Sequence, residues 1–498
     1  MVQVYPASWN PAMVQRHAKL EALRARGINP YGETKYARTH STASLLNLCA
    51  PLPSDAAMPQ NVKIAGRLVL RRDMGKIVFA NIEDESGRLQ IFLKPNQVGA
   101  EAMEMVRDCL DLGDILGLEG DMFKTKTGEV TLAVRQITVL AKSLRPLPEK
   151  FHGLQDDDVK QRQRYLDLAA SADVRETFRR RSLVVQHMRL FLYGQGFMEV
   201  ETPILQDLHG GASARPFITH HNTLNRDLYL RIATELHLKR LLVGGYEAVF
   251  EIGRVFRNEG IDLRHNPEFT TMELYWAYHN YEDVMELTEQ MLTHIAFQVA
   301  KSLQLNYQNG QIDLTPPWQR ITVEQAIEKY GDVAVFGVGL EMLKVAAEGK
   351  GVHVEDDMTR GSLLINMFEA LAEKQLVQPT FVYRYPVEAT PLAKRCPDDP
   401  AYVDKTELYI AGMELANAYS ELNDPVDQRA RFMEQVEAAK AGDEEAQPFD
   451  EDFLQAVEVG MPPQTGIGIG IDRLAMVMTN SPSIRDVVLF PTMKEKGV

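Results

Sequence analysis

Apolar and polar residues alternate in short runs over much of residues 62–140. In the first run, Val62, Ile64, Leu68 and Leu70 share one face, which is typical of a half-buried strand. Turn residues at 84–87 and 125–128 lie between similar runs. Strands are thus predicted at 62–70, 77–82, 89–93, 115–122 and 130–140, with a helix at about 100–111. This order matches the OB-fold, a five-stranded Greek-key barrel that binds oligonucleotides.

The outward positions of the first predicted strand are basic. Lys63, Arg67 and Arg71 lie opposite its apolar face, and Phe79 is on the next strand. OB-fold barrels hold unpaired nucleotides with a cationic face and aromatic rings for stacking. Taken alone, these residues favour the alternative, in which the charges are solvated and Phe79 belongs to the core.

A different pattern follows the barrel. Val174, Phe178 and Val184 begin a series of apolar residues at helical spacing, which predicts a long helix that Asp173 caps and Gly194 ends. Because 498 residues exceed what one hydrophobic core usually supports, the chain after about residue 160 is interpreted as a second, large domain of helices and strands.

Charge and cysteine content narrow the possible functions. The net charge of −15 argues against a protein that coats DNA or other nucleic acid nonspecifically, because that mode needs a broad cationic surface. Cys49, Cys109 and Cys396 are far apart, which gives no zinc site and suits a reducing compartment. With neither a signal peptide nor a run of apolar residues long enough to cross a bilayer, a cytoplasmic protein without a membrane partner is expected.

The common nucleotide-binding and metalloprotease signatures are missing from the sequence. There is no GxxxxGK[ST], and the glycines of Gly466–Arg473 do not fit GxGxxG. HExxH is also absent, and His220 and His221 lack the spacing of metal ligands, so both are interpreted as structural or surface residues. Any ATP is therefore bound by other means.

Three segments carry a specific resemblance. They are Phe197-Met-Glu-Val-Glu-Thr-Pro203, then residues 249–260 together with 264–275, and Gly466–Leu474. The first alone could be a strand ended by a proline, and the last a closely packed glycine-rich strand. In this order they resemble the three motifs of the class II aminoacyl-tRNA synthetases. The resemblance implies amino-acid activation with ATP, and a homodimer interface at the first segment.

The same resemblance implies an ATP site, made by Arg257, Glu259, His265, Asn266, Phe269, Glu407 and Arg473. In that family Arg257 binds the α-phosphate and the substrate carboxylate, Glu259 accepts from the adenine amino group, and Phe269 stacks on adenine. His265 and Arg473 approach the outer phosphates. Arg257, Glu259, His265 and Arg473 are expected to serve catalysis, since a guanidinium fork neutralises charge at phosphorus.

Three glutamates recur every seven residues between the second and third motifs. Glu407, Glu414 and Glu421 lie in a stretch whose neighbours, such as Tyr409 and Tyr419, are too apolar for a solvated helical stripe. Helix and strand both remain open from the spacing. By resemblance, Glu407 and Glu414 hold the Mg²⁺ that bridges the ATP phosphates, because Mg²⁺ prefers hard oxygen ligands.

The substrate side chain is expected to be that of lysine. An ammonium needs carboxylates, whereas an aspartate pocket needs cations. Subclass b of the class II enzymes comprises the aspartate, asparagine and lysine enzymes, and the sequence resembles its lysyl members. That resemblance implies contacts from Glu273, Tyr275 and Glu421 to the ε-amino group, from Gly211 and Glu235 to the α-amino group, and from Arg257 and Asn417 to the carboxylate.

On the barrel, the resemblance implies that four positions read the anticodon of tRNA(Lys): Arg67, Phe79, Gln90 and Glu129. RNA sequence is usually read through such contacts to unpaired bases. The absence of a long basic N-terminal tail favours an enzyme of the bacterial type.

Together these features predict an α+β chain, an N-terminal OB-fold barrel followed by a class II catalytic domain with an antiparallel sheet flanked by helices. The expected divisions are a helical extension at 1–58, the anticodon-binding barrel at 59–145, a linker at 146–160, and the catalytic domain at 161–498 with a helical insertion around 304–380. The expected reaction joins L-lysine to tRNA(Lys) with ATP. Alternatives are an aspartyl or asparaginyl enzyme, an inactive synthetase-like RNA-binding protein, and a stand-alone ligase that attaches lysine to a protein.

Overall fold

The structure is a computed structural model that describes residues 9–147, 156–308, 310–442 and 446–495. The chain divides into two compact units, residues 1–155 and 156–498. The division falls inside the segment predicted as a linker, most of whose residues (148–155) lie outside the described ranges.

The N-terminal unit is built on a closed barrel with strand order β1-β2-β3-β5-β4. Its strands are β1 (Ala57–Met74), β2 (Ile77–Asp84), β3 (Gly87–Leu93), β4 (Ile115–Lys124) and β5 (Val130–Ala141). Its helices are α1 (Pro11–Ala25), α2 (Thr42–Cys49), α3 (Pro95–Val98) and α4 (Ala100–Asp108). The predicted OB-fold, with a helix between its third and fourth strands, is confirmed.

The first strand departs from simple alternation. The β1–β2 register shifts between Leu68 and Leu70, which is the signature of a β-bulge. An extra residue reverses the side-chain alternation beyond it, so Val69 is buried and Leu70 is only half-buried. The prediction that Leu70 continues the apolar face of Ile64 is therefore wrong.

The C-terminal unit is organised by an eight-stranded sheet in the order β14-β15-β16-β17-β18-β11-β10-β6. Its strands, with those of two smaller sheets, are β6 (Met198–Glu199), β7 (Leu205–Gln206), β8 (Ile218–His221), β9 (Arg226–Leu230), β10 (Ala248–Phe256), β11 (Glu268–Ala277), β12 (Gln304–Tyr307), β13 (Gly310–Asp313), β14 (Gln319–Thr322), β15 (Thr380–Pro386), β16 (Tyr402–Ile410), β17 (Met413–Ser420) and β18 (Gln464–Gly470). From β15 to β10 neighbouring strands are antiparallel. The predicted antiparallel catalytic sheet is confirmed.

Helices pack on this sheet and connect its strands. They are α5 (Asp157–Arg162), α6 (Arg164–Ala170), α7 (Ala172–Gly194), α8 (Glu235–Val243), α9 (Tyr281–Ala300), α10 (Val323–Ala326), α11 (Leu340–Gly349), α12 (Arg360–Leu371), α13 (Pro425–Lys440), α14 (Glu451–Gly460), α15 (Ile471–Thr479) and α16 (Ile484–Val487). The main core joins α7, α9 and α15 to the central strands, through buried side chains such as Met188, Met291 and Leu474.

The long predicted helix is present as α7, but its cap differs. The Ser171 hydroxyl accepts a hydrogen bond from the amide of Val174 at 3.3 Å, whereas Asp173 lies in the first turn. Both residue types are good caps, and a carboxylate one turn inside still stabilises the positive end of the helix dipole. The prediction that Asp173 caps the helix is therefore wrong.

Residues 304–380 begin with the paired strands β12 and β13, whose Leu305 and Ile312 belong to the main core. The segment becomes helical from Val323, where α10, α11 and α12 follow, and its helices form a second apolar cluster with residues of β15 and β16. Leu363 and Phe368 of α12 pack with Val382 of β15 in this cluster. Within the described ranges, the chain has no helix both long and apolar enough to cross a membrane.

Candidate active site

The three regularly spaced glutamates lie on and beside a β-hairpin, not on a helix. Strands β16 and β17 pair so that Glu407 is opposite Asn417 and Glu414 is opposite Tyr409. Between the strands, Ala411 and Gly412 both have positive φ, which suits a two-residue hairpin turn. The helical alternative is wrong, and the spacing of seven comes from two strands joined by a short turn.

A cavity of about 580 Å³ opens over the centre of the large sheet. Strands β11, β17 and β18 are neighbours there, with Glu273 opposite Gly468 and Gly468 opposite Asn417. Every residue to which the resemblance assigns an ATP or lysine contact lines this cavity: Gly211, Glu235, Arg257, Glu259, His265, Asn266, Phe269, Glu273, Tyr275, Glu407, Glu414, Asn417, Glu421 and Arg473. The fold thus brings together side chains from residues 211 to 473.

One region of the cavity combines a cation with an aromatic ring. The guanidinium carbon of Arg257 lies 5.3 Å from the ring centre of Phe269, and the β10–β11 pairing brings these two positions together. Arg257 Nε is buried and has no hydrogen-bond partner within the described ranges. Glu259 is exposed at the rim. A free N–H donor beside a ring face can bind an anionic group attached to a purine.

A second region is cationic and exposed. Arg473, in the first turn of α15, donates from Nη2 to His265 Nε2 at 3.0 Å and from Nη1 to the backbone carbonyl of Glu414 at 2.6 Å. His265 Nδ1 contacts Asp262 at 2.8 Å, so the Nδ1–H tautomer fits both partners. Burial raises the pKa of Asp262, but hydrogen bonds from His265 and two backbone amides outweigh it and lower the pKa overall.

Acidic side chains gather where β16 and β17 face the cavity. Burial raises the pKa of Glu369, and the nearby charges of Glu407 and Glu414 raise it further. The pKa of Glu407 is lowered in spite of burial, because Lys405 lies 2.8 Å from its Oε1, and the hydroxyls of Tyr385 and Tyr409 donate to its Oε2.

This acidic region suits Mg²⁺ only together with ligand oxygens. In the part of the chain that the structure describes, no three His, Cys, Asp or Glu side chains are placed to hold a metal ion by themselves. Mg²⁺ usually takes one or two carboxylates and completes its shell with phosphate oxygens and water. Glu407 and Glu414 fit that mode, and the mutual repulsion that raises the pKa of Glu369 favours a cation there.

A third region forms an acidic pocket. Glu235, Glu273 and Glu421 are all buried, and Glu421 is only 1% exposed. Glu421 Oε1 has no hydrogen-bond partner within the described ranges, and neither has Oδ1 of Asn417. Buried polar atoms are normally paired, so these oxygens point to a ligand that donates hydrogen bonds. Burial raises the pKa of Glu273 to about 7, and the charge of Glu235 contributes.

The absence of a side chain at Gly466 on β18 leaves space for the side chains of this pocket. A Cβ at this position would overlap the ring of Tyr275 and would lie 2.5 Å from Glu421 Oε1. At Gly468 a Cβ would lie 3.6 Å from Glu273 Cγ, which is an ordinary contact. At Gly466 the room is therefore taken by the chain's own pocket side chains, as in a closely packed glycine-rich strand.

Sequence reasoning missed several residues of the site. Lys239 is fully buried and forms ion pairs with Glu235 and Glu421, and the hydroxyl of Tyr419 donates to Glu235 at 2.7 Å. The Glu235–Lys239 spacing of four was visible, but such pairs are common on solvated helix faces. Lys405 and Glu369, beside Glu407, had no sequence signal at all.

In the barrel, Arg67, Phe79 and Gln90 lie on the outward side of consecutive strands, and Glu129 is exposed just before β5. Arg67 donates to the carbonyl of Gly113 at 2.8 Å, and Gln90 to the hydroxyl of Thr131 at 2.9 Å. Phe79 is half-buried outside the barrel core, so its interpretation as a core residue is wrong.

Two further rings extend the outer surface at Phe79. The ring centres of Phe79 and Phe92 are 4.9 Å apart, and those of Phe92 and Phe123 are 6.0 Å apart. Sequence reasoning overlooked Phe92 and Phe123, although each occupies an outward position of a predicted or extended strand. The row offers ring faces and edges to unpaired bases.

Comparison with known proteins agrees with this architecture. Residues 156–494 match the family described as tRNA synthetases class II (D, K and N), and residues 62–140 match the OB-fold nucleic acid binding domain. The lysine–tRNA ligase of Thermoanaerobacter sp. (strain X514) is 50% identical over 490 residues, covering 97% of this chain and 96% of that protein.

Two other relatives match equally broadly. The lysine–tRNA ligase of Moorella thermoacetica is 50% identical over 493 residues, covering 98% of both chains. That of Staphylococcus aureus (strain MRSA252) is 48% identical over 492 residues, covering 98% of this chain and 99% of the relative. The chain therefore belongs to the class II tRNA synthetases and, within them, to the lysine–tRNA ligase family.

Proposed function

We propose that the chain is an aminoacyl-tRNA ligase that activates L-lysine with ATP and transfers it to tRNA(Lys). The observation that carries this proposal is the buried pocket of Glu235, Glu273 and Glu421, in which Oε1 of Glu421 has no hydrogen-bond partner among the described residues. Lys239 pairs with Glu235 and Glu421, but three buried carboxylates outnumber this one ammonium, so the pocket selects a ligand with further ammonium groups. Lysine carries two of them.

In the first step, a carboxylate oxygen of lysine attacks the α-phosphorus of ATP, and the bond from that phosphorus to the bridging oxygen breaks. Lysyl-adenylate forms and pyrophosphate leaves. Arg257, whose Nε has no hydrogen-bond partner among the described residues, stabilises the charge that grows on the α-phosphate. His265 and Arg473, in contact with each other, receive the leaving pyrophosphate.

The remaining residues orient the two substrates. Phe269 stacks on the adenine ring, and Glu259 accepts from the adenine amino group. Asn266, buried nearby, helps to hold ATP. Mg²⁺, held by Glu407 and Glu414 with the phosphates, supplies charge neutralisation when bound. Correct placement of two reactants by itself accounts for a large part of such catalysis.

In the second step, a hydroxyl oxygen of the terminal ribose of tRNA attacks the carbonyl carbon of the adenylate, and AMP leaves. Glu235 and Gly211 hold the α-amino group, and Asn417, with a free amide oxygen, lies beside the reacting end of lysine. We assign no side chain as a general base for this step.

The pocket disfavours the alternatives. An aspartate side chain would place a fourth carboxylate beside Glu235, Glu273 and Glu421, and like charges buried together repel strongly. Asparagine would leave the oxygen of Glu421 without a charged partner. An inactive relative needs none of the ATP-site residues, yet all of them line one cavity.

We further propose that the barrel binds the anticodon of tRNA(Lys) through Arg67, Phe79, Gln90 and Glu129. The placement of Arg67, Phe79 and Gln90 on the outward side of consecutive strands, with Glu129 exposed just before β5, supports this, because such barrels stack unpaired bases on outward aromatic rings. The division into an anticodon-binding domain and a catalytic domain follows from it.

We also propose that the enzyme acts as a homodimer in the cytoplasm. Large apolar side chains are exposed on α7 and on the sheet-edge strand β6, among them Leu190 (55%), Tyr193 (51%) and Met198 (39%). Exposed apolar patches of this kind usually mark interfaces. Cys49, Cys109 and Cys396 are buried and unpaired, which suits a reducing compartment.

The test of the ligase function is aminoacylation. Labelled lysine is offered to the enzyme with ATP, Mg²⁺ and either a tRNA(Lys) transcript or a tRNA(Asp) transcript. The proposal expects acid-precipitable label on tRNA(Lys) only. Label on tRNA(Asp), or no label on either transcript from folded protein, contradicts it.

A further inference from the structure

The acidic pocket contains a cation of the chain's own. Lys239, on α8, is fully buried, and its Nζ lies 2.6 Å from Glu235 Oε1. The same Nζ forms an ion pair with Glu421 Oε2. Glu235 and Glu421 are on different elements, so Lys239 ties together two walls of the pocket.

Lys239 acts from behind those walls. Glu235, Glu421, Tyr275 and Tyr419 line the cavity, but Lys239 does not. Aromatic rings enclose its ammonium, with the ring centre of Tyr419 at 5.4 Å and that of Tyr275 at 6.0 Å. Such rings stabilise a desolvated cation. Lys239 therefore has no path to contact a ligand directly.

The contacts of Lys239 decide which carboxylate oxygens remain for a ligand. Oε2 of Glu421 pairs with the ammonium of Lys239, and Oε1 of Glu421 has no hydrogen bond within the described ranges. Oε1 of Glu235 accepts a hydrogen bond from Lys239, and Oε2 of Glu235 accepts one from the hydroxyl of Tyr419. The protein thus fixes both oxygens of Glu235 and one oxygen of Glu421, and Oε1 of Glu421 remains for a ligand.

Lys239 also affects the net charge of the pocket. Glu235 and Glu421 pair with the ammonium of Lys239, and Glu273 is buried near Glu235. When a bound ammonium ligand ionises all three carboxyl groups, Lys239 balances one negative charge and the two ammonium groups of lysine balance the other two. The substrate carboxylate is balanced separately by Arg257.

We propose that Lys239 is a positioning residue for lysine specificity, which orients Glu235 and Glu421 and sets the pocket's charge to match an amino acid with two ammonium groups. This inference rests on the proposed lysine-activating function and deepens it. Because this role is electrostatic as well as structural, removing the charge of Lys239 should change the pH dependence of lysine binding. A role in packing alone predicts no such change.

The groups that face Lys239 define that prediction. The carboxyl groups are Glu235, Glu421 and the adjacent Glu273. Burial raises the pKa of Glu421 well above its usual value, and the charge of Lys239 opposes that rise. Burial also raises the pKa of Tyr275 and of Tyr419 well above the usual value, so both stay neutral. Removing a cation makes nearby carboxylates harder to ionise, by one to three pH units for a close pair. A neutral residue at 239 should therefore move lysine binding to higher pH.

The experiment measures lysine-dependent exchange of pyrophosphate into ATP from pH 6 to 9 for the wild type, K239M, K239R and a control, K440M, whose side chain is 66% exposed. For K239M we expect the Michaelis constant for lysine to rise about 30-fold or more, the effect of removing one partner of a buried charge pair. The pH below which this constant rises should move up by about one unit or more. The constant for ATP should stay as in the wild type.

K239R retains the charge but not the shape of the head group. We expect its Michaelis constant for lysine to rise while its pH dependence stays as in the wild type. If K239M is not folded, as shown by the lack of a cooperative unfolding transition, K239R tests the positioning role. Its raised Michaelis constant for lysine, together with an unchanged pH dependence, supports that role.

Three results separate the possible failures. A wild-type pH profile and lysine constant in K239M overturn the positioning role alone, as does an equal rise in the lysine and ATP constants. In K239R, an unchanged lysine constant or a shifted pH profile overturns it too. Wild-type protein that shows no lysine-dependent exchange contradicts the proposed function, and this inference with it.

Discussion

Arg473 donates a hydrogen bond to His265 across 3.0 Å, although 208 positions separate the two residues in the chain. Arg473 opens α15 and His265 lies in the loop between β10 and β11. Their contact joins the second and third motifs at the exposed side of the cavity, beside Glu414. The account of ATP binding depends on this contact.

The first prediction concerns Arg473. Replacing it by Met removes the guanidinium that faces the leaving pyrophosphate, so kcat/KM for ATP in pyrophosphate exchange should fall about 100-fold or more. R429M is the control, because Arg429 is an exposed arginine on α13 that pairs with the surface residues Glu451 and Glu458 and does not line the cavity. Equal activity of R473M and R429M would remove Arg473 from the site.

The second prediction concerns Glu421. E421Q keeps the shape of the side chain but removes the charge that a substrate ammonium requires. The Michaelis constant for lysine should rise by about 30-fold or more, with that for ATP unchanged. E458Q, at an exposed position on α14, serves as the control. A lysine constant within twofold of the wild type would exclude Glu421 from the pocket.

The third prediction concerns Gly466. In G466A the added methyl group overlaps Tyr275 and crowds Glu421, so the lysine pocket should close. G468A is a matched control one pleat along the same strand, where the methyl group makes an ordinary contact. We expect lysine-dependent exchange to be lost in G466A and largely kept in G468A. The reverse order of activities would contradict the pocket geometry.

The fourth prediction concerns pH. Burial raises the pKa of Glu273 to about 7, so this carboxyl is protonated below that pH in the free enzyme. An ammonium ligand favours the ionised form, and binding therefore weakens as the pH falls. The Michaelis constant for lysine should rise by up to about tenfold per pH unit below pH 7. In E273Q the Michaelis constant for lysine should depend less steeply on pH. An unaltered dependence would mean that the group whose protonation weakens lysine binding is not Glu273.

The fifth prediction separates the two units. F79A should lower kcat/KM for tRNA(Lys) in aminoacylation by roughly 5- to 100-fold, the effect of losing one base-stacking ring. Pyrophosphate exchange, which needs no tRNA, should not change. F336A, which removes an exposed ring of the catalytic unit, is the control. A loss of exchange in F79A would point to damage outside the anticodon site.

The sequence predicted the barrel well because each of its strands is a local pattern. Alternation between Leu89 and Leu93, for example, is visible in five residues. The bulge at Leu68–Leu70 was not predictable, since an extra residue in one strand depends on the partner strand. The cap of α7 was misassigned because Ser171 and Asp173 have similar capping propensities.

The site residues that the resemblance names line one cavity, but the sequence predicted neither their arrangement nor the presence of Lys405 and Glu369 among them. The spacing of Glu407 and Glu414 fitted a helix and a hairpin equally. Lys239 shows the limit most clearly. A lysine four residues after a glutamate is typical of an ion pair on a solvated helix face. Lys239 is buried because β17 and α14 pack over α8, and neither contact is visible in the local sequence.

The most direct test of the central claim is pyrophosphate exchange into ATP, measured with Mg²⁺ and each of the twenty amino acids in turn. The account predicts exchange with lysine alone, because only lysine brings a second ammonium group to Glu421 at the required reach. Exchange with aspartate or asparagine, or none with lysine from folded protein, would contradict it.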